Sequence, residues 1–121
     1  MNTKKANSAE KNFKSDAEFV KHPTQEGVYM KHFFSKSETN ERLNNLEVHI
    51  VPNFQIAPHT HDNAGEFFYV VDGCGEFLNN LEWIPIKKGD AFQAPMGMTH
   101  AIKNTCKSTL VLFSTFSPPI R

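Results

Sequence analysis

The chain is cut into short runs whose apolar and polar residues alternate, and turn formers separate one run from the next. Leu46-Glu47-Val48-His49-Ile50-Val51 is typical: side chains two apart share a face, the period of a half-buried strand. Similar runs cover 28–34, 55–61, 66–71, 75–78, 82–86, 91–94, 100–104 and 109–116. Short strands at this spacing predict an all-β sandwich or barrel. With 121 residues the chain is expected to form one domain with a real core.

The ends are expected to lie outside that core. Residues 1–15 are polar and carry Lys4, Lys5, Lys11 and Lys14, which predicts a short flexible tail. The domain then runs over 16–121, with a helical turn expected around 16–20 and a loop over 35–45. At the other end, Pro118 and Pro119 should stop the last strand, since proline cannot donate to a ladder.

Charge and hydropathy exclude several roles. Lys plus Arg and Asp plus Glu both count 13, so no overall field favours nucleic acid or an anionic membrane. No apolar run is long enough to span a bilayer. Met1-Asn2-Thr3-Lys4-Lys5 is not followed by an apolar signal core, so a cytoplasmic location is expected. In that setting Cys74 and Cys106 are expected to stay reduced, as small residues in or near strands.

Two stretches carry chemistry. His59-Thr60-His61-Asp62-Asn63-Ala64-Gly65-Glu66 offers two imidazoles on one strand face, about 6.6 Å apart along it, with Thr60 facing away. The turn-rich Asp62-Asn63-Ala64-Gly65 then reverses the chain and returns the Glu66 carboxylate beside them. Pro95-Met96-Gly97-Met98-Thr99-His100 supplies a third imidazole from elsewhere. His59, His61, Glu66 and His100 together form a common donor set for one divalent transition metal ion, whether Fe, Mn, Ni, Co, Cu or Zn.

The wider spacing resembles the cupin superfamily. Its first motif runs glycine, five residues, His-x-His, three or four residues, glutamate, six residues, glycine. Here His59, His61, Glu66 and Gly73 match, and Asn53 replaces the leading glycine. Asn tolerates left-handed backbone better than most residues, so a turn there survives. The second motif runs glycine, five residues, Pro-x-Gly, two residues, histidine, three residues, asparagine; Gly89, Pro95, Gly97, His100 and Asn104 match it throughout. The resemblance implies a small single-domain jelly-roll β-barrel of the RmlC-like type, with the metal inside it. Many cupins are dioxygenases, decarboxylases, isomerases or lyases, and others only bind small molecules.

Alternation puts Phe68 and Val70 on the face of Glu66, with Phe67, Tyr69 and Val71 turned away. Ile102 and Asn104 share the face of His100. Eleven phenylalanines and few inward charges predict an apolar pocket. Of the two arginines, Arg42 falls in a loop and Arg121 at the terminus, which argues against an arginine clamp deep in the barrel. No catalytic residue beyond the ligands is assigned: His22 and His32 read as surface residues, His49 as a structural one, and Asp62 as a turn cap. Gln93 and Asn104 are candidates for hydrogen bonds to a ligand, Asn104 having the alternative of closing a turn. The leading expectation is a metal-dependent oxygenase acting on a small, partly apolar molecule. A lyase or isomerase of a small carbonyl compound is the alternative, together with a non-catalytic binder or sensor. Strands such as 110–113, apolar on both faces, add the expectation of a homodimer.

Overall fold

The computed structural model describes residues 12–121, so most of the tail expected over 1–15 lies outside the described residues. Ten strands follow one another: β1 (Phe19–Lys21), β2 (Val28–His32), β3 (Asn44–Ile50), β4 (Gln55–His59), β5 (Gly65–Asp72), β6 (Cys74–Asn79), β7 (Glu82–Lys87), β8 (Ala91–Ala94), β9 (His100–Lys103) and β10 (Leu110–Ser117). They form a six-stranded sheet, ordered β1-β2-β3-β10-β5-β8, and a four-stranded sheet, ordered β4-β9-β6-β7. Every pairing is antiparallel, and the two sheets make a jelly roll.

The alternation seen in the sequence decides which face is buried. In β5, Glu66, Phe68 and Val70 are buried while Phe67, Tyr69 and Val71 are exposed. In β3 the buried set is Asn44, Leu46, Val48 and Ile50. In β10 it is Leu110, Leu112, Ser114 and Phe116. Ile50, Leu110 and Leu112 have no exposed surface at all, and each buried side chain of this kind contributes about 1.5–3 kcal/mol. Phe68, Phe77 and Phe92 fill the space between the sheets, with ring centroids 4.3–6.4 Å apart.

Two turn positions require left-handed backbone. Asn53 has φ +74, so asparagine does take up the conformation for which the motif uses glycine. Gly73 has φ +86, and a Cβ there would stand 2.6 Å from the Thr109 carbonyl oxygen. Any side chain would displace the turn between β5 and β6.

Three local expectations are corrected. Residues 19–21 form an edge strand in place of a helical turn, because Phe19↔Lys31 and Lys21↔Tyr29 pair with β2. Long-range pairing overrides the local pattern there. The loop over 35–45 contains a 3₁₀ turn, Lys36–Glu38, and yields to β3 at Asn44. Cys74 and Cys106 are joined in a disulfide, with Cα atoms 5.8 Å apart. Pairing of β6 with β9 brings the turn after β9 back against the start of β6, a closeness hidden by a sequence separation of 32. The expectation of reduced thiols came from the assumed compartment, not from geometry.

The final strand ends at Ser117, before the two prolines, as expected. The last residues then fold back onto the barrel: Ile120 N donates to Asn44 Oδ1 at 2.8 Å, and Lys36 N donates to the Arg121 carbonyl at 2.8 Å.

Candidate metal centre

Four separate backbone positions deliver the cluster. His59 ends β4 and His100 opens β9, and these residues are directly paired in the four-stranded sheet. Glu66 lies on β5 in the opposite sheet. His61 lies beyond the end of β4, because the ladder shifts register between Ile56 and His59 and the strand stops. The expected same-strand geometry for His59 and His61 therefore fails, yet the rings still converge. Their centroids are 4.8 Å apart, and those of His59 and His100 are 4.2 Å apart. The segment carrying His61 is held by Gly97 N, which donates to the His61 carbonyl at 2.9 Å. Phe116 packs edge-on against the His61 ring at 4.9 Å.

The hydrogen bonds around the cluster leave its lone pairs pointing inward. His59 Nδ1 lies 2.7 Å from the Ala57 carbonyl and His100 Nδ1 lies 3.0 Å from the Met98 carbonyl. A carbonyl can only accept, so each Nδ1 carries a proton, and in the neutral ring that ligation needs the lone pair is then on Nε2. Ser114 donates its hydroxyl to Glu66 Oε2 at 2.7 Å. The other carboxylate oxygen, Oε1, stands 3.2 Å from His100 Nε2 and 3.5 Å from His61 Nε2. Two acceptors 3.2 Å apart repel unless a proton or a cation sits between them.

Those spacings suit a metal ion. Ligands about 2.1 Å from a common ion, at right angles to each other, stand about 3 Å apart. All four candidate donor atoms lie within 4.8 Å of one another. The cluster therefore can hold a metal ion, and mixed imidazole and carboxylate donors fit a divalent transition metal.

Electrostatics favour the deprotonated forms that ligation needs. Burial pushes the Glu66 carboxyl up, but hydrogen bonds from His100, His61 and Ser114 outweigh it and hold the group below its ordinary 4.5. Burial lowers His59 below its ordinary 6.5; the Ala57 carbonyl opposes this, and the charges of His100 and His61 add to it.

The cluster opens on a cavity of about 630 Å³. Met30, Leu46, Val48, Phe68, Ile102 and Phe116 give it largely apolar walls, as expected. Several other expectations are corrected. His22 and His32 line the cavity. His22 also caps the following turn, its Nδ1 accepting from Thr24 N and Gln25 N at 3.1 Å. Arg121 lines the cavity too, because the last residues fold back across it. Asn104 hydrogen-bonds away from the cluster: its Nδ2 donates to the Ile50 and Ser108 carbonyls at 2.8 Å, closing the turn after β9. Gln93 is exposed on β8. His49 is structural, as expected, its Nε2 paired with Glu47 at 2.5 Å.

Ser114 is the functional neighbour that the sequence reading missed. Its signal was a lone hydroxyl at an inward position between Leu112 and Phe116.

A jelly roll with three histidines and a glutamate converging inside it defines a class of metal-site barrels. The chain belongs to the cupin family: residues 46–116 match the cupin domain model. It is 30% identical over 84 residues to the oxalate-binding protein of Thermotoga maritima, covering 69% of each chain. It is 32% identical over 75 residues to a germin-like protein of Morus alba, spanning 58% of this chain but only 36% of that protein. The crystal structure of a predicted oxalate decarboxylase from Thermotoga maritima superposes with a TM-score of 0.76. Identity there is 26%, over 84% of this chain and 90% of that one.

Proposed function

We propose that His59, His61, Glu66 and His100 hold one divalent transition metal ion, and that the protein is a metal-dependent oxygenase of a small organic molecule. The observation that carries this reading is the junction of a four-donor cluster with an apolar cavity of about 630 Å³. That volume falls in the range of small-molecule sites. When bound, such an ion supplies a Lewis acid and open coordination positions for oxygen donors.

The chain's own residues do the rest. The Ala57 and Met98 carbonyls fix the tautomers of His59 and His100, so both rings present lone pairs without rearrangement. Ser114 turns the Glu66 carboxylate, and Phe116 holds His61 in place and keeps that side dry. None of the hydrogen bonds to the cluster comes from a spare acid or base, which favours chemistry centred on the ion.

Oxygen consumption is the test. The Fe(II)-loaded protein is expected to take up oxygen when a substrate from a panel of small, partly apolar acids, alcohols and ketones is added. The absence of uptake across the panel would count against an oxygenase.

One observation favours a second reading, a binder of small carboxylates without turnover. It is the similarity to a protein named for binding oxalate. A thermal shift with oxalate, and no loss of oxalate on incubation, would support it. In either case the exposed Phe67, Tyr69 and Val71 on the outer face of β5 favour a homodimer.

A further inference from the structure

The geometry points to a second anchoring point in the cavity: a cationic subsite at its mouth, formed by Arg121 beside His32. It would take a carboxylate at the end of a ligand remote from the histidine cluster. This rests on the reading that the cavity holds a ligand beside the cluster, and it adds that ligand's second functional group.

Arg121 is positioned, not merely present. Two hydrogen bonds, Ile120 N to the Asn44 side-chain Oδ1 and Lys36 N to the Arg121 main-chain oxygen, hold the main chain around Arg121. Asn44 is only 2% exposed, so this tether is anchored in the core. Among the described residues no acidic side chain pairs with the Arg121 guanidinium. Glu66 is the only acidic side chain lining the cavity among the described residues, and its two oxygens are turned to Ser114 and the histidines. The guanidinium therefore has no acidic side-chain partner at this mouth.

His32 is the polar neighbour of Arg121 in the cavity wall. It lies on the cavity side of β2, and its buried Nδ1 has no hydrogen-bond partner. Burial, followed by the charge of Arg121, keeps its ring below the ordinary 6.5 and hence neutral at pH 7. A neutral imidazole beside a guanidinium does not repel it.

The distance sets the ligand class. His32 is on β2 and Glu66 on β5, separated by β3 and β10 in the sheet. Three interstrand spacings come to about 14 Å along the sheet, and less across its curve. The wall between them is apolar, including Leu46, Phe68 and Phe116. A fitting ligand thus has an oxygen donor at one end, an apolar middle of several carbons and a carboxylate at the other end. Oxalate, whose two carboxyl carbons are bonded directly, is too short to reach both.

The test is titration calorimetry on the Co²⁺-loaded full chain with adipate, hexanoate and oxalate. Wild-type protein is expected to bind adipate about 10-fold more tightly than hexanoate, the scale of one charge-assisted hydrogen bond. Arg121→Gln should lose that preference. Oxalate affinity and cobalt content should be unchanged, which also shows that the variant folds. An adipate preference that persists in Arg121→Gln, or is absent from wild type while oxalate still binds, overturns the subsite alone. Failure of all three acids to bind the cobalt-loaded wild type sinks the ligand reading beneath it as well.

Discussion

Histidines at the two sides of the cavity are held in opposite ways. His59 and His100 each give Nδ1 to a backbone carbonyl, at 2.7 and 3.0 Å, and aim Nε2 at a shared centre. His32, on β2, leaves a buried Nδ1 without a partner. The first arrangement fixes tautomer and orientation before anything binds, the property a ligand needs. The second leaves a polar atom buried and unpaired, which costs folding free energy. Position along a strand does not distinguish these residues; what surrounds the ring does.

The contrast can be broken by mutation. His100→Ala should have the largest effect, since the ring is 1% exposed and belongs to the cluster. Bound metal should fall to near zero, and the metal-free fold should lose about 2–4 kcal/mol through the cavity left behind. Elemental analysis and urea denaturation read the two losses separately. Ser114→Ala should act next, because it frees Glu66 Oε2 without touching the four candidate ligands. Metal affinity should fall by about 10- to 100-fold, measured by chelator competition.

Acid provides a milder test on the metal-free protein. His59 and Glu66 both lie below their ordinary values of 6.5 and 4.5, so the native state binds fewer protons than the unfolded chain. Stability from His59 is full above about 6.5 and falls as pH drops through its lowered value. The Glu66 contribution is lost in turn below about 4.5. Urea midpoints should therefore decline steadily from pH 7 to pH 4, and a flat profile would show that neither group is coupled to folding. His32→Leu should do least. It removes an unpartnered polar atom at similar volume, so stability should hold or rise by up to about 1 kcal/mol. Metal content should stay at the wild-type level; a drop would erase the distinction between the two kinds of histidine.

Most of the fold was legible because a two-residue period and turn chemistry are local signals. The runs at 82–86 and 91–94 fall within a residue of β7 and β8. The cluster was legible because ligand types recur at spacings that one backbone reversal brings together. Pairing between distant segments stayed hidden. Phe19–Lys21 reads as a helical turn until β2 is placed beside it. Cys74 and Cys106 read as separate until β6 and β9 pair. Arg121 seemed remote because a terminal residue carries no sign in sequence that the chain folds back over Asn44. Ser114 was overlooked since one inward hydroxyl in an apolar strand has no periodic signature, and its meaning depends on Glu66 in the next strand.

Elemental analysis of freshly isolated protein, beside a His61→Ala variant of matched purity, tests the central claim most directly. The prediction is about one divalent transition metal ion per wild-type chain and only a small residue of it in the variant. Wild-type protein without a stoichiometric transition metal, or a variant that keeps the same content, would contradict the metal centre.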